Sequence, residues 1–287
     1  MQVPARFGYE VAGSVEEAIE LLERHGEDAY LLAGGHSLIP MMKLRLASPE
    51  VVIDIHKLDD ELRYIREEDG SLRIGALALH RDVLESPIVN ERYTLLADAE
   101  RMIADPLVRN MGTLGGALAH ADPAEDLPAA FVALGAEVTA RGPGGERTVQ
   151  MDDLYVGPYE TVLEHGEMLT EVRVPRAPGG SAYTKVERRA GDWTSASVGV
   201  ALDMGDGEIE EIRIGMAGVG NKTLRALGAE EALRGQRPGD EVYRRAGEAA
   251  AEESDPIEDA RGTATYKRGL LKVIVGRTVA KAVERAG

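Results

Sequence analysis

The stretch Leu31-Leu32-Ala33-Gly34-Gly35-His36-Ser37-Leu38 sets a short apolar run directly against paired glycines. Tyr30–Ala33 is too short for a helix and is bounded by turn residues, so it reads as a buried strand. Gly34 and Gly35 have no Cβ, which lets the chain take positive φ and lets another group come close to the backbone. Successive amides in such a turn form a concave anion site, to which Ser37 adds a hydroxyl donor. The pattern is that of a phosphate cradle at the end of a strand. A purely structural turn would carry the same two glycines.

Outward from this stretch the chain keeps an α/β rhythm. Ser14-Val15-Glu16-Glu17 has the form of a capping box, and Ala18, Leu21 and Leu22 continue it as a helical apolar stripe to near Gly26. After the glycines a short helical piece is expected around Met41–Leu46, broken by Pro49, and Val51–Ile55 is the next strand. A β-α-β start of this kind places ligands at the C-terminal ends of its strands. No GxGxxG or GxxxxGK motif occurs, which argues against Rossmann and P-loop nucleotide sites. Further on, Asp69-Gly70 between Leu62–Arg66 and Leu72–Gly75 predicts a hairpin. Helical patterns follow at His80–Glu85, Leu95–Ile103 and Leu127–Leu134. A second hairpin brackets Gly142-Pro143-Gly144-Gly145, and Leu169–Val174 closes this part as a strand.

Pro175-Arg176-Ala177-Pro178-Gly179-Gly180 reads as a linker. Beyond it, three strands are expected at Ala182–Arg188, Val198–Met204 and Ile209–Met216, then helices at Leu224–Leu233, Glu241–Glu252 and Thr265–Arg285. Strands followed by helices define an α+β module of a different kind from the first part. The domain reading is therefore residues 1–175, with subdomains of about 1–56 and 57–175, followed by residues 180–287.

Composition narrows the function classes. No apolar run approaches the roughly 20 residues that span a bilayer, and Met1–Glu10 lacks the apolar segment of a signal peptide, so a cytoplasmic location is expected. The absence of cysteine excludes disulfides, thiolate metal sites and an iron–sulfur cluster held in the usual way by this chain. Fifty acidic residues against 33 basic ones give a net charge of −17, opposite to the basic footprint that nucleic acid requires. The acids avoid certain places. None lies between Asp28 and Glu50 or between Asp105 and Asp122, 37 positions in all, where the chain average would put about six. Such gaps spare a bound anion from repulsion.

The second acid-free window holds another glycine pair, in Asn110-Met111-Gly112-Thr113-Leu114-Gly115-Gly116-Ala117, and runs on into His120-Ala121-Asp122-Pro123-Ala124-Glu125-Asp126. As a pair, AGGHS and TLGG followed by HADPAED resemble the FAD-binding medium subunit of the molybdenum hydroxylases, the flavoprotein of the aerobic carbon monoxide dehydrogenase and xanthine dehydrogenase type. The resemblance covers essentially the whole chain. It implies two α/β FAD-binding subdomains of the PCMH/vanillyl-alcohol-oxidase type, then a C-terminal domain of antiparallel sheet and helices.

The resemblance also implies roles for individual residues. Ala33, Gly34, Gly35, His36, Ser37 and Leu38, with Thr113, Leu114, Gly115, Gly116 and Ala117, would hold the FAD pyrophosphate and the adjoining ribityl or flavin edge. Asp126 stands where the family places a carboxylate against the nucleotide portion, although it also suits the first turn of the helix at Leu127, and Asp122 competes with it. Trp193 stands where an aromatic often covers the flavin, with core packing as the plainer alternative. Lys185 matches a family lysine near FAD, against the alternative of a solvated strand lysine, and Leu169 is a further expected contact. His36 and His120 define no coordination shell, so no metal is expected on this chain. Some flavin oxidases of the related two-subdomain fold bond flavin covalently to a histidine in a GGH. The family that this chain resembles holds FAD non-covalently, and that is the expectation here.

The implied function is electron transfer. Two [2Fe–2S] clusters on a small subunit would pass electrons to FAD here, and a large subunit with the molybdenum cofactor would oxidise the substrate, in a hetero-oligomer built as a dimer of heterotrimers. No acid–base residue is assigned as catalytic, because the cofactor carries the redox chemistry. The chain would be an oxidoreductase subunit inactive on substrate alone. A self-contained flavin oxidase with FAD linked at His36 is one alternative, and a scaffold subunit with an empty nucleotide site is another.

Overall fold

The structure, a computed structural model, describes residues 3–287. Its first layer is the β-α-β unit. Strands β1 (Gly8–Val11), β2 (Ala29–Leu32) and β3 (Val51–Asp54) form a parallel sheet in the order β1-β3-β2, with helix α1 (Val15–His25) connecting the first two and α2 (Leu38–Leu44) the second and third. Ser14 Oγ accepts from the Glu17 amide at 3.1 Å, as the capping box predicts. The Glu17 carboxylate reaches one residue further back than the motif implies and accepts from Gly13 N–H at 2.7 Å. Val15, Ala18, Ile19, Leu21 and Leu22 bury the apolar face of α1 in a core shared with Ile53 and Ile55.

The second layer is a five-stranded antiparallel sheet with helices on it. Strands β4 (Ile65–Glu68), β5 (Ser71–Gly75), β6 (Glu137–Gly142), β7 (Gly145–Gln150) and β8 (Met168–Val174) lie in the order β4-β5-β8-β6-β7. Asp69 and Gly70 both take positive φ, 51° and 74°, which is the primed turn that the sequence signal requires. Between β5 and β6 run α3 (His80–Glu85), α4 (Thr94–Met102), α5 (Leu114–His120) and α6 (Leu127–Ala133).

The third layer is an antiparallel sheet in chain order: β9 (Gly180–Val186), β10 (Ala196–Gly205), β11 (Glu208–Ala217) and β12 (Leu224–Arg225). Helices α7 (Leu227–Leu233), α8 (Asp240–Glu253) and α9 (Ala264–Arg285) follow. Leu224 and Arg225, expected as the start of a helix, form a short edge strand on Gly215 and Met216 instead. There Arg225 pairs with Glu230, the acid that also accepts from Ile214 N–H.

Alternation along β10 separates the two faces of this sheet. Val198, Val200 and Leu202 pack under α8 and α9. Gly199 faces the other way, towards α6, where a Cβ would come 2.9 Å from the Ala129 carbonyl oxygen, and a Cβ on Gly215 would overlap that same oxygen. These two glycines let α6, an element of the first part, lie directly on the third sheet. Asp98 on α4 adds ion pairs to Lys281 at 2.8 Å and Arg285 at 2.7 Å on α9. The linker in the sequence is real as a turn, yet the layers on either side of it share a core that includes Phe131, Tyr183, Ala201 and Ala217.

Candidate functional site

Both glycine stretches meet at one place. The chain leaves β2 at Leu32, and Gly35 takes φ of 74° as it turns into α2. A Cβ on Gly34 would overlap the Met111 carbonyl oxygen and lie 2.9 Å from Gly112 Cα, so the first stretch is stacked backbone to backbone on the second. Among the described residues, the amides of Gly34, Gly35, His36, Ser37 and Leu38 donate to no protein acceptor. Ser37 occupies the N-cap of α2, but its hydroxyl makes no capping bond. Five successive unpaired amides with a free hydroxyl beside them have the donor set of an anion nest.

The second stretch differs from the expected second loop. Gly115 and Gly116 lie in the first turn of α5, and Thr113 is its N-cap, accepting from Gly116 N–H at 3.2 Å. Leu114 N–H donates to Ala78 O at 2.9 Å, Gly115 N–H to Ala76 O at 2.8 Å and Ala117 N–H to Thr113 O at 3.0 Å. These amides are therefore already paired. Gly115 is required by packing, since a Cβ would come 2.6 Å from that of Ala76. Gly116 is exposed, and a Cβ there would be 4.0 Å from Ala33 Cβ, so the open surface of α5 faces the amide nest. The sequence signalled only the Thr113 cap, through the N-cap preference of threonine, and not the pairing of Leu114 and Gly115 with Ala78 and Ala76. Electrostatically the place favours an anion. The nearest carboxylate at the edge of the second window, Asp105, is turned to cap the amides of Leu107 and Val108 at 2.8 and 3.0 Å.

The remaining expected residues fall around this centre. His36 is exposed and its Nε2 faces Leu107 O at 3.3 Å, which ties the first stretch to the segment before the second. Leu169 points into the core from β8, and its strand is linked to the second stretch by Ala76, whose N–H donates to Thr170 O at 2.9 Å and whose O accepts from Gly115 N–H at 2.8 Å. Trp193 is 44% exposed, which removes the core-packing alternative. Its turn is pinned at Gly191, where φ is 78° and a Cβ would come 2.5 Å from Ala104 O.

Asp126 and Lys185 form one buried unit. Asp126 accepts from the Tyr183 hydroxyl and from Lys185 Nζ, the latter at 2.8 Å. The same Nζ donates to Met102 O at 3.0 Å and lies 3.3 Å from Glu187. The Lys185 side chain is only 1% exposed, so the solvated alternative does not hold. Burial pushes the Asp126 carboxyl up to about 6, with Lys185 opposing the rise. Asp126 makes no capping bond to α6, and both its oxygens are engaged by protein. Asp122 is half-buried and accepts from Ala124 N–H at 2.9 Å and the Tyr159 hydroxyl at 3.1 Å. Tyr183 was not anticipated from the sequence. It stands two residues before Lys185 on the same face of a strand, so period-two alternation could have found it. Among the described residues, no group of three or more His, Cys, Asp or Glu side chains is arranged to hold a metal ion.

A dinucleotide whose pyrophosphate meets an amide nest, in a region without acids, fits this donor set, and FAD is such a molecule. Residues 5–177 match the FAD binding domain in molybdopterin dehydrogenase, and residues 181–282 match the CO dehydrogenase flavoprotein C-terminal domain. The chain belongs to the FAD-binding medium subunits of the molybdenum hydroxylase family. It is 44% identical to the carbon monoxide dehydrogenase medium chain of Hydrogenophaga pseudoflava, over 96% of this chain and 97% of that one. Identity to the nicotine 6-hydroxylase medium subunit of Paenarthrobacter nicotinovorans is 39%, over 99% of this chain and all of that one. Carbon monoxide dehydrogenase from Hydrogenophaga pseudoflava superposes with a TM-score of 0.97 at 46% identity, covering 99% of this chain and 100% of that one. Quinoline 2-oxidoreductase from Pseudomonas putida 86 superposes at 0.93 with 32% identity, covering 99% of each chain. Among the described residues no helix is long and apolar enough to cross a membrane.

Proposed function

We propose that this chain is the FAD-binding electron-transfer subunit of a molybdenum hydroxylase complex. It would receive electrons from [2Fe–2S] clusters on a small partner and deliver them to an external acceptor, while a large partner with the molybdenum cofactor oxidises the substrate. The observation that carries the reading is the run of unpaired amides from Gly34 to Leu38 facing the exposed Gly116. FAD, when bound, supplies both one- and two-electron chemistry.

The protein's own work is to hold and orient. The amides of residues 34–38 and the Ser37 hydroxyl bind the pyrophosphate, and Ala33 and Gly116 line the groove without side chains that would obstruct it. Trp193 presents an exposed aromatic face from a pinned turn. Asp126, Tyr183 and Lys185 hold the strand that leads to this turn rather than the ribose itself. Retention is non-covalent, as the family resemblance implies, with His36 Nε2 facing the Leu107 carbonyl. The assembly is a cytoplasmic dimer of heterotrimers, with the FAD-binding part spanning residues 1–175 and the C-terminal part residues 180–287.

The test is reconstitution. The purified chain is loaded with FAD and offered the substrate of the complex, with and without the partner subunits. Flavin reduction only when the partners are present supports the subunit reading, and that rate should fall as salt rises. Reduction by substrate with the chain alone would establish a self-contained oxidase. Failure to hold any flavin, tested by absorbance near 450 nm in the native assembly, would leave a scaffold subunit.

A further inference from the structure

The second glycine stretch rests on a buried acid–imidazole pair. Gly112 O accepts from His80 N–H at 3.1 Å, and a Cβ on Gly112 would come 2.8 Å from His80 Cδ2 and 3.3 Å from its Nε2. The imidazole thus lies against the α-carbon of Gly112, which Gly34 also approaches closely, a Cβ on Gly34 coming 2.9 Å from Gly112 Cα. Below the ring, His80 Nδ1 faces the two oxygens of Glu100 at 3.2 and 3.4 Å. Glu100 is completely buried, and among the described residues His80 is its only hydrogen-bond partner. Gly34, Gly112, His80 and Glu100 form a single stack from the amide nest into the interior.

We propose that the His80–Glu100 pair is the positioning device that sets the spacing of the two glycine stretches, and so governs how tightly FAD is retained. The inference rests on the reading of those stretches as the flavin site. A buried acid–imidazole pair contributes little to stability compared with apolar packing, so stability alone is a poor reason for it. Its distinctive property is direction. A hydrogen bond at one ring nitrogen fixes the plane of an imidazole, and the plane of this ring fixes how far Gly112 can move. The acid stands on α4, a helix held by Lys281 and Arg285 through Asp98 and by Lys185 through the Met102 carbonyl. Burial pushes the Glu100 carboxyl up, while His80 and then Arg109, on the turn that also offers Leu107 O to His36, oppose the rise.

The experiment compares wild type with His80→Ala, Glu100→Gln and Ser254→Ala, each full chain purified in whatever assembly it forms. Ser254 is a buried residue whose hydroxyl donates to Ala251 O at 2.8 Å at the end of α8, away from α4 and the glycine stretches, so it reports general destabilisation. The readouts are the FAD dissociation constant, the visible circular dichroism of bound flavin and the melting temperature without flavin. His80→Ala should weaken FAD binding about tenfold or more and change the visible dichroism, with millimolar imidazole restoring both. Glu100→Gln should weaken binding by about threefold, because the amide oxygen still accepts from the ring but only one of the two carboxylate oxygens facing Nδ1 is kept. Ser254→Ala should lower the melting temperature and leave FAD affinity intact. Wild-type affinity and dichroism in His80→Ala would overturn the inference, as would FAD losses that track melting temperature across all three variants. If His80→Ala does not fold, the volume-conserving Glu100→Gln decides, and an unchanged dichroism and affinity there overturn it. A wild-type assembly that takes up no FAD would overturn the flavin reading and this inference with it.

Discussion

Replacing Lys185 by methionine removes the counter-charge of a buried carboxylate while keeping most of the side-chain volume. In the wild-type chain Asp126 is held at about 6, above its ordinary 3.8, so the folded state binds more protons than the unfolded state between those values. The contribution of Asp126 to wild-type stability therefore falls as pH rises from about 4 to about 6 and is level above that, and keeping this acid ionised inside the protein costs about 3 kcal/mol. Without Lys185 the folded value rises further, and the fall continues through neutral pH at up to about 1.4 kcal/mol per pH unit. Breaking a buried pair in this way costs about 3–5 kcal/mol. The unfolding entropy of a 287-residue chain is about 0.6 kcal/mol/K, so the melting temperature should drop by about 5–8 °C. Denaturant titrations of wild type, Lys185→Met, Asp126→Asn and the double variant at pH 6, 7 and 8 measure this directly. The deficit of Lys185→Met should widen from pH 6 to pH 8, and adding Asp126→Asn should recover most of it. A deficit independent of pH and not relieved by the second substitution would refute the argument.

Gly116→Val should leave the flavin-free chain folded, because its nearest obstacle is the Thr113 hydroxyl, but should strip most of the FAD; normal flavin content would remove Gly116 from the site. Gly35→Val should lose flavin and also lower the melting temperature of the flavin-free chain, since φ of 74° strains any side chain there. Acid precipitation of the yellow protein should release all colour into the supernatant, and His36→Ala should weaken retention without abolishing it; a yellow pellet would mean a covalent flavin. FAD should quench the emission of Trp193, the only tryptophan, and full emission from flavin-replete protein would place the indole away from the cofactor.

Local chemistry was legible in the sequence. Asp69-Gly70 demanded two positive φ values and has them, Ser14 and Glu17 capped the first helix, and the apolar run before Gly34 became the strand that delivers the nest. These depend on atoms a few residues apart, and residue type settles them. The absence of cysteine likewise excluded by itself a cysteine-held cluster within these 287 residues. The tertiary structure decided what two similar glycine pairs do differently. The amides of residues 34–38 stay free, while those of residues 114–117 are taken by Ala76, Ala78 and Thr113. It also decided that Lys185 is buried against Asp126, 59 residues earlier, and that Gly199 and Gly215 admit α6 onto the third sheet. Hydrogen-bond satisfaction and burial are properties of what surrounds a group, and here the surroundings arrive from distant parts of the chain, where no local pattern in the sequence could announce them.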